Sequence, residues 1–445
     1  MNDSFDPRSY GAVADGHSKD TAAVQAAIDA AAAQGGTVRL AGGTFVCGTL
    51  YLKSNVALEI TNSATLLASR DIADYGTDTH HNRYRNEPEL DRCFLFAQDA
   101  ENVTICGSGV IDGNAAAFPN AGSIYRPMLL RVLRCRNIRV QNLRLLNAAA
   151  WTTAFLDSDF IWATDLHIEN HRNYNGDGLD FDGCRHVWVR GCYIDGTDDN
   201  LCLQSSGLPV QDVHISDCAF TSVCAGIRIG LKSVGEISQV VISNCTMRNV
   251  WREEIKLECT EGGSITDILV ENVTMHNVRR PIFAILNNRY RPDDLGSSVE
   301  LDHIPPIGTM ARLRFVGITA VDDEEMAHAQ RRFDNNIMGE PRFGGCRFDA
   351  NAAHPIQDVT IRDFWYTAIG GVRLADLPAA PYPEVPDRLQ DPAACASENY
   401  YPDWSRTTHL DARNVQGLVL ENLRFTTLHS DERPKMLTEG PTVML

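Results

Sequence analysis

No stretch of this sequence stays apolar for the roughly 18 residues that a membrane-spanning helix requires, and Met1 to Tyr10 lacks the hydrophobic run of an export signal. Positive charge is also scarce. Lys and Arg total 40 against 58 Asp and Glu, a formal charge of −18, which excludes a broad basic face for nucleic acid or anionic membrane. The thirteen cysteines are an odd number and include no C-x-x-C pair or Cys/His ligand spacing. Neither a disulfide framework nor a metal site follows from them, and no cofactor is expected. Reduced thiols in a soluble, cytoplasmic protein are the expectation for a chain that has not lost a leader. The charged share of 22 % and hydrophobic share of 44 % are those of an ordinary folded protein.

What the sequence does have is a repeat, with the pattern apolar, any, apolar, polar, polar or Gly, apolar, any, apolar. It reads I-R-V-Q-N-L-R-L from Ile138, I-W-A-T-D-L-H-I from Ile161 and V-W-V-R-G-C-Y-I from Val187. It continues as V-H-I-S-D-C-A-F from Val213, V-V-I-S-N-C-T-M from Val240 and I-L-V-E-N-V-T-M from Ile268. Successive starts differ by 23, 26, 26, 27 and 28 residues, and looser copies begin at Val103, Leu313, Val359 and Leu418. Each copy holds two short strands of period two around a polar corner, with no 3.6-residue periodicity. A coil of this length predicts an all-β protein: a right-handed, single-stranded parallel β-helix of about ten coils in a single domain over residues 1–445. Stacked coils should place Val187, Val213, Val240 and Ile268 in one internal ladder and Cys192, Cys218, Cys245 and Val273 in another, so these cysteines read as core residues.

An open sheet end needs a cover. The Ala-rich segment Thr21 to Gln34, after Asp20 as N-cap and before Gly35-Gly36, predicts an N-terminal capping helix over residues 20–34. Pro378, Pro381, Pro383, Pro386 and Pro392 predict a long loop over 375–410 before the last coil at Leu418, leaving the tail from Ser430 without assigned elements. His80-His81 and His167 have no partner at metal-ligand spacing, and Asn287 to Tyr290 is a candidate sugar-contacting loop.

Chemistry concentrates between Asn175 and Glu258. Asn175-Gly-Asp-Gly-Leu-Asp180 is followed by Thr197-Asp198-Asp199, with Asp177 and Asp198 separated by 21 residues, close to one coil. Adjacent rungs lie about 4.8 Å apart, so the two carboxylates should be able to flank one bond. Crowded carboxylates cannot all ionise freely, and a protonated acid beside an ionised partner is what glycoside hydrolysis needs. Read as ordinary solenoid corners, Asp and Asn next to Gly would carry no such role. Strand alternation points Arg228, Glu254, Lys256 and Glu258 outward, toward the same face as the aspartates.

These motifs resemble those of the polygalacturonase-like glycoside hydrolases, family 28, which are right-handed parallel β-helices. Asn175 to Asp180 is similar to their N-T-D-G-x-D, Asp198-Asp199 to their paired aspartates, Gly226 to Gly230 to the end of G-H-G-x-S-I-G, and Ile255-Lys256 to the end of R-I-K. The N-terminal Tyr10-Gly-Ala-Val-Ala-Asp-Gly16 and the run from Asp20 to Asp29 resemble the wider β-helix group as well. The family histidine falls on Ala225 and the R-I-K arginine on Glu254.

The resemblance implies an inverting glycosidase acting on a pectin-related or similar plant-type oligo- or polysaccharide, with Asp177, Asp198 and Asp199 catalytic and Asn175, Arg228, Glu254 and Lys256 binding substrate. Asp198 would be the general acid, with Asp177 and Asp199 activating water. Glu254 in place of a cation leads to the expectation that plain polygalacturonate binds poorly and that short or branched pectic fragments are preferred. A polysaccharide lyase or epimerase, and a non-catalytic glycan-binding β-helix, are the alternatives. The oligomeric state is not legible.

Overall fold

The computed structural model describes residues 3–79, 92–119, 126–289, 303–327, 341–379 and 404–444. His80-His81, Tyr290 and most of the proline-rich stretch lie outside them. The chain divides into two compact units, Met1–Asp198 and Asp199–Leu445. Each is a stack of short parallel strands, which is the predicted β-helix architecture.

In the first unit, one interior row runs through Val38, Leu58, Ile105, Val140, Ala163 and Val189, each opposite the next in register and each at most 1 % exposed. A second row runs through Leu66, Ile111, Leu145, Ile168 and Ile194. A third sheet stacks Val132, Phe155 and Phe181, the two phenyl rings lying parallel with centroids 5.0 Å apart. In the second unit the row Val213, Val240, Ile268, Leu313 and Val359 is continuous. Cys192 in the first unit and Cys218, Cys245 and Val273 in the second are all buried, as the repeat requires.

The fifth position of the repeat now has a physical reason. Asn142, Asp165 and Gly191 in the first unit, and Asp217, Asn244 and Asn272 in the second, all have φ between 52° and 67°. This left-handed corner admits Gly at no cost and Asn or Asp at little. A second left-handed corner precedes each repeat, at Asn137, Phe160 and His186, then Asp212, Gln239 and Asp267. Phe, His and Gln carry no turn signal there, which hides that corner from a sequence reading.

The helix Thr21–Gln34 forms as predicted and buries Ala23, Val24, Ala27, Ile28 and Ala31, packing on the first strands of its unit. Asp20 does not cap it with its side chain. The carboxylate instead accepts the Val13 and Ala14 N–H groups at 2.7 and 3.0 Å and fastens the preceding loop. The tail adds a rung: Met436–Thr438 pairs with Leu410–Ala412, and Thr442–Met444 with Leu418–Leu420. No described helix is long and apolar enough to cross a membrane.

Candidate functional site

In the first unit the Asn175–Asp177 loop is tied to the next coil through Thr197. Gly176 N–H donates to Thr197 Oγ1 at 3.0 Å, Thr197 Oγ1 donates to the Asn173 carbonyl at 2.7 Å, and Thr197 N–H meets the Gly176 carbonyl at 3.3 Å. A side chain at position 176 would begin 2.3 Å from Thr197 Oγ1, so only glycine fits. With Gly176 opposite Thr197, the residues that follow, Asp177 and Asp198, come onto neighbouring rungs, as the 21-residue spacing requires. Asp177 is 5 % exposed, whereas Asp198 is half-buried.

Asn175 is held in the left-handed region at φ 55°. Its Oδ1 accepts Arg126 Nη2 at 2.8 Å, while Arg126 Nη1 donates to the Tyr174 carbonyl at 2.5 Å. Arg126 is completely buried and fixes the loop that carries Asp177. Sequence reasoning missed it because it lies 49 residues upstream, outside any repeat. Asp180, Asp182 and Asp195 are also buried in this unit, Asp195 within 2.8 Å of His171. His167 meets Glu169 at 2.8 Å and stacks on Tyr193.

The second unit opens with Asp199, 2 % exposed. Its Oδ2 accepts Arg228 Nη1 at 2.8 Å and lies 3.6 Å from the Cys202 thiol. Burial alone would push this carboxyl up, but Arg228, Lys256 and Arg252 outweigh it and hold Asp199 below the ordinary carboxylate value. Arg228 and Lys256 are register partners, flanked by the inward pairs Ile227–Ile255 and Ile229–Leu257. Glu258 Oε2 accepts Arg228 Nε at 2.8 Å and lies 3.6 Å from Lys256 Nζ. Lys256 Nζ is 3.5 Å from Glu253 Oε2, and Glu253 Oε1 accepts Arg280 Nη1 at 2.9 Å. The basic groups around Glu253 likewise overcome its burial and hold it ionised.

Two sequence expectations change here. Lys256, expected to meet substrate, is 1 % exposed and enclosed by Glu253 and Glu258. Glu254, expected to face outward as a charge, is fully buried. Its carboxyl lies over the α-carbon of Gly226, where a β-carbon would come within 1.7 Å of Oε1. Burial, and then Cys245, push its pKa well above the usual carboxylate value, which disfavours its charged form. Alternation predicts the side on which a residue leaves its strand but not whether that side is covered, and Lys256 and Glu258, of the same parity, are buried as well. Asn287 and Asn288 are also fully buried, and Arg289 pairs with Glu261.

The sequence profile of glycosyl hydrolases family 28 matches residues 44–300. A probable polygalacturonase of Vitis vinifera is 27 % identical over 301 residues, covering 54 % of this chain and 60 % of that protein. An exo-poly-alpha-D-galacturonosidase of Dickeya chrysanthemi is 25 % identical over 243 residues, covering 43 % and 40 %. The chain thus spans no more than about three-fifths of either relative. Among solved structures, an exopolygalacturonase of Thermotoga maritima superposes with a TM-score of 0.69 over 96 % of this chain and 92 % of its own, at 18 % identity. With more than half of its length matched by the family profile, and both aspartate motifs inside that match, the chain belongs to glycosyl hydrolases family 28.

Proposed function

We propose that the protein is an inverting glycosidase that cleaves galacturonate-containing, pectin-related oligosaccharides. The observation that carries this reading is the Arg228 guanidinium 2.8 Å from the buried Asp199 carboxylate, next in sequence to the more exposed Asp198. Hydrolysis with inversion needs one carboxyl that gives a proton to the leaving oxygen and another that takes one from water. Asp198 is assigned the first role. Asp199 and Asp177 are assigned the second, orienting and deprotonating the attacking water. Glu254 is fully buried, in surroundings that disfavour its charge, so it does not face a uronate, and Arg228 and Arg252, at 14 % and 22 % side-chain exposure, are cations accessible to a substrate carboxylate.

The test is reducing-sugar release from α-linked galacturonate oligomers, with the anomeric configuration of the new reducing end followed by NMR. The expected result is a β-configured first product and a loss of at least about 100-fold in Asp198→Asn. An unsaturated, ultraviolet-absorbing product would assign elimination instead, and a retained configuration would refute inversion.

A further inference from the structure

We propose that the Gly76–Thr79 segment closes the catalytic face of the first unit on the side of the coils before Asp177, so that the enzyme is exo-acting and removes one or two sugars at a time from the non-reducing end of its glycan. The inference rests on the reading of Asp198 as the acid and Asp177 as a partner to the attacking water.

In the first unit the sheet that leads to these aspartates stacks Leu50–Leu52, Cys93–Gln98, Met128–Leu133, Thr153–Leu156 and Leu179–Asp182. Alternation sends Tyr51, Phe96, Arg131, Ala154 and Asp180, register partners in that order, to the outward side. A through-going groove would leave this row open to a glycan lying along the stack. Instead Phe96, Arg131 and Ala154, with Leu133 and Leu156 beside them, are each at most 5 % exposed. On the neighbouring sheet the outward row Thr104, Arg139, Trp162 and Trp188 is only half-buried, so coverage of the outward side is not a general property of these coils.

The Gly76–Thr79 segment lies across the covered row. Gly76 N–H donates to Thr49 Oγ1 at 2.9 Å, Thr49 Oγ1 donates to the Cys93 carbonyl at 2.7 Å, and Tyr51 Oη donates to Asp78 Oδ1 at 2.6 Å. At its far end the carbonyl of the fully buried Thr79 accepts Arg131 Nη1. The segment therefore passes from the rung of Tyr51 to that of Arg131. On the last rung before Asp177, whose carbonyl accepts the Thr152 N–H at 2.9 Å, Trp151, Ala154 and Leu156 join a buried apolar cluster with Met128 and Leu133, a surface poorly matched to a uronate.

The assigned roles give the cut its direction. Asp198 follows Thr197, whose N–H meets the carbonyl of Gly176 on the preceding rung, so the leaving oxygen departs on the side away from the covered coils. It takes the Asp198 proton as the C1–O bond breaks, and the water oxygen joins C1. The sugar that keeps C1 turns its non-reducing side toward the covered rungs, which at a spacing of about 4.8 Å leave room for a sugar or two.

The experiment digests hexagalacturonate labelled at its reducing end and sizes the products, beside the viscosity of long polygalacturonate. The expected first products are unlabelled mono- or digalacturonate with labelled pentamer or tetramer, while viscosity falls slowly against the reducing ends released. Labelled monomer, dimer or trimer as a first product, or rapid loss of viscosity, would overturn this inference and leave the glycosidase reading standing. No cleavage of any galacturonate oligomer would remove that reading and this inference with it. The double variant Gly76→Ala/Asp78→Ala sets a methyl 2.1 Å from Tyr51 Oη and removes the acceptor of its hydroxyl. It should raise the share of labelled dimer and trimer by at least about 10-fold; an unchanged pattern in the folded variant would overturn the assignment of the closure to this segment. If that variant does not fold, the product sizes of the parent decide.

Discussion

Gly226→Ala tests the placement of Glu254 most directly. The backbone at Gly226 lies outside the left-handed region, so alanine meets no strain of its own. The whole cost comes from the added methyl, which would sit 1.7 Å from Glu254 Oε1, 2.4 Å from Cδ and 2.7 Å from Oε2. The end of a glutamate side chain can ordinarily swing away from such a contact. Glu254 is fully buried, so any swing drives the carboxyl into packed neighbours. Overpacking of this kind costs about 1–3 kcal/mol. At about 2.1 cal/mol/K per residue, a 445-residue chain loses about 1 °C of melting temperature per kcal/mol, so Gly226→Ala should melt roughly 1–3 °C lower. Glu254→Ala leaves a void that the methyl introduced by Gly226→Ala partly fills. The double variant should therefore be more stable than the sum of the single changes by about 1 kcal/mol or more. Calorimetry with urea titration at pH 7 provides the assay. A Gly226→Ala protein as stable as the parent, or strictly additive effects, would show that Glu254 is not where the argument needs it.

Asp177→Asn, Asp198→Asn and Asp199→Asn should each lower turnover by at least about 100-fold while leaving the far-ultraviolet circular dichroism unchanged; near-normal activity in any of them removes that residue from the mechanism. Thr197→Val preserves shape but leaves the Gly176 N–H and the Asn173 carbonyl without the hydroxyl they share, a loss of about 2 kcal/mol or more in denaturant titration, accompanied by reduced kcat. Asp322 is buried and its carboxyl is pushed up to about 7 by that burial, against donations from the Ile369 N–H and the Tyr366 hydroxyl. Its folded value exceeds its unfolded one, so its contribution to stability is full below about pH 4 and is lost as the pH rises toward 7, by up to roughly 4 kcal/mol. Asp322→Asn should flatten this dependence and be the more stable protein at pH 8; parallel pH curves for parent and variant would refute the assignment.

The stacked core was legible because a coil repeats its inward positions every 23 to 28 residues, and burial forces Val213, Val240 and Ile268 to be apolar. The corners were legible where left-handed φ selects Asn, Asp or Gly, as at Asn142 and Asn244, and illegible where Phe160 or Gln239, which carry no turn signal, adopts the same angle. The neighbouring rungs of the Gly176 and Thr197 segments followed from spacing alone, since one coil is one rung. Arg126 escaped because no periodicity links it to the loop it holds.

Position 254 marks where pattern reading stops. Period-two alternation says nothing of what covers a strand's outward side, where Glu253 pairs with Lys256 and Arg280 and where Glu254 is fully buried. Burial there disfavours the charged carboxylate, and the missing side chain at Gly226 leaves the space for the group. The positive charge that the R-I-K-like motif would have carried at 254 is absent, while Arg228 stands at the motif serine of the preceding coil and reaches Asp199. That guanidinium, which also donates to Glu258, helps hold Asp199 below the ordinary carboxylate value at 2 % exposure.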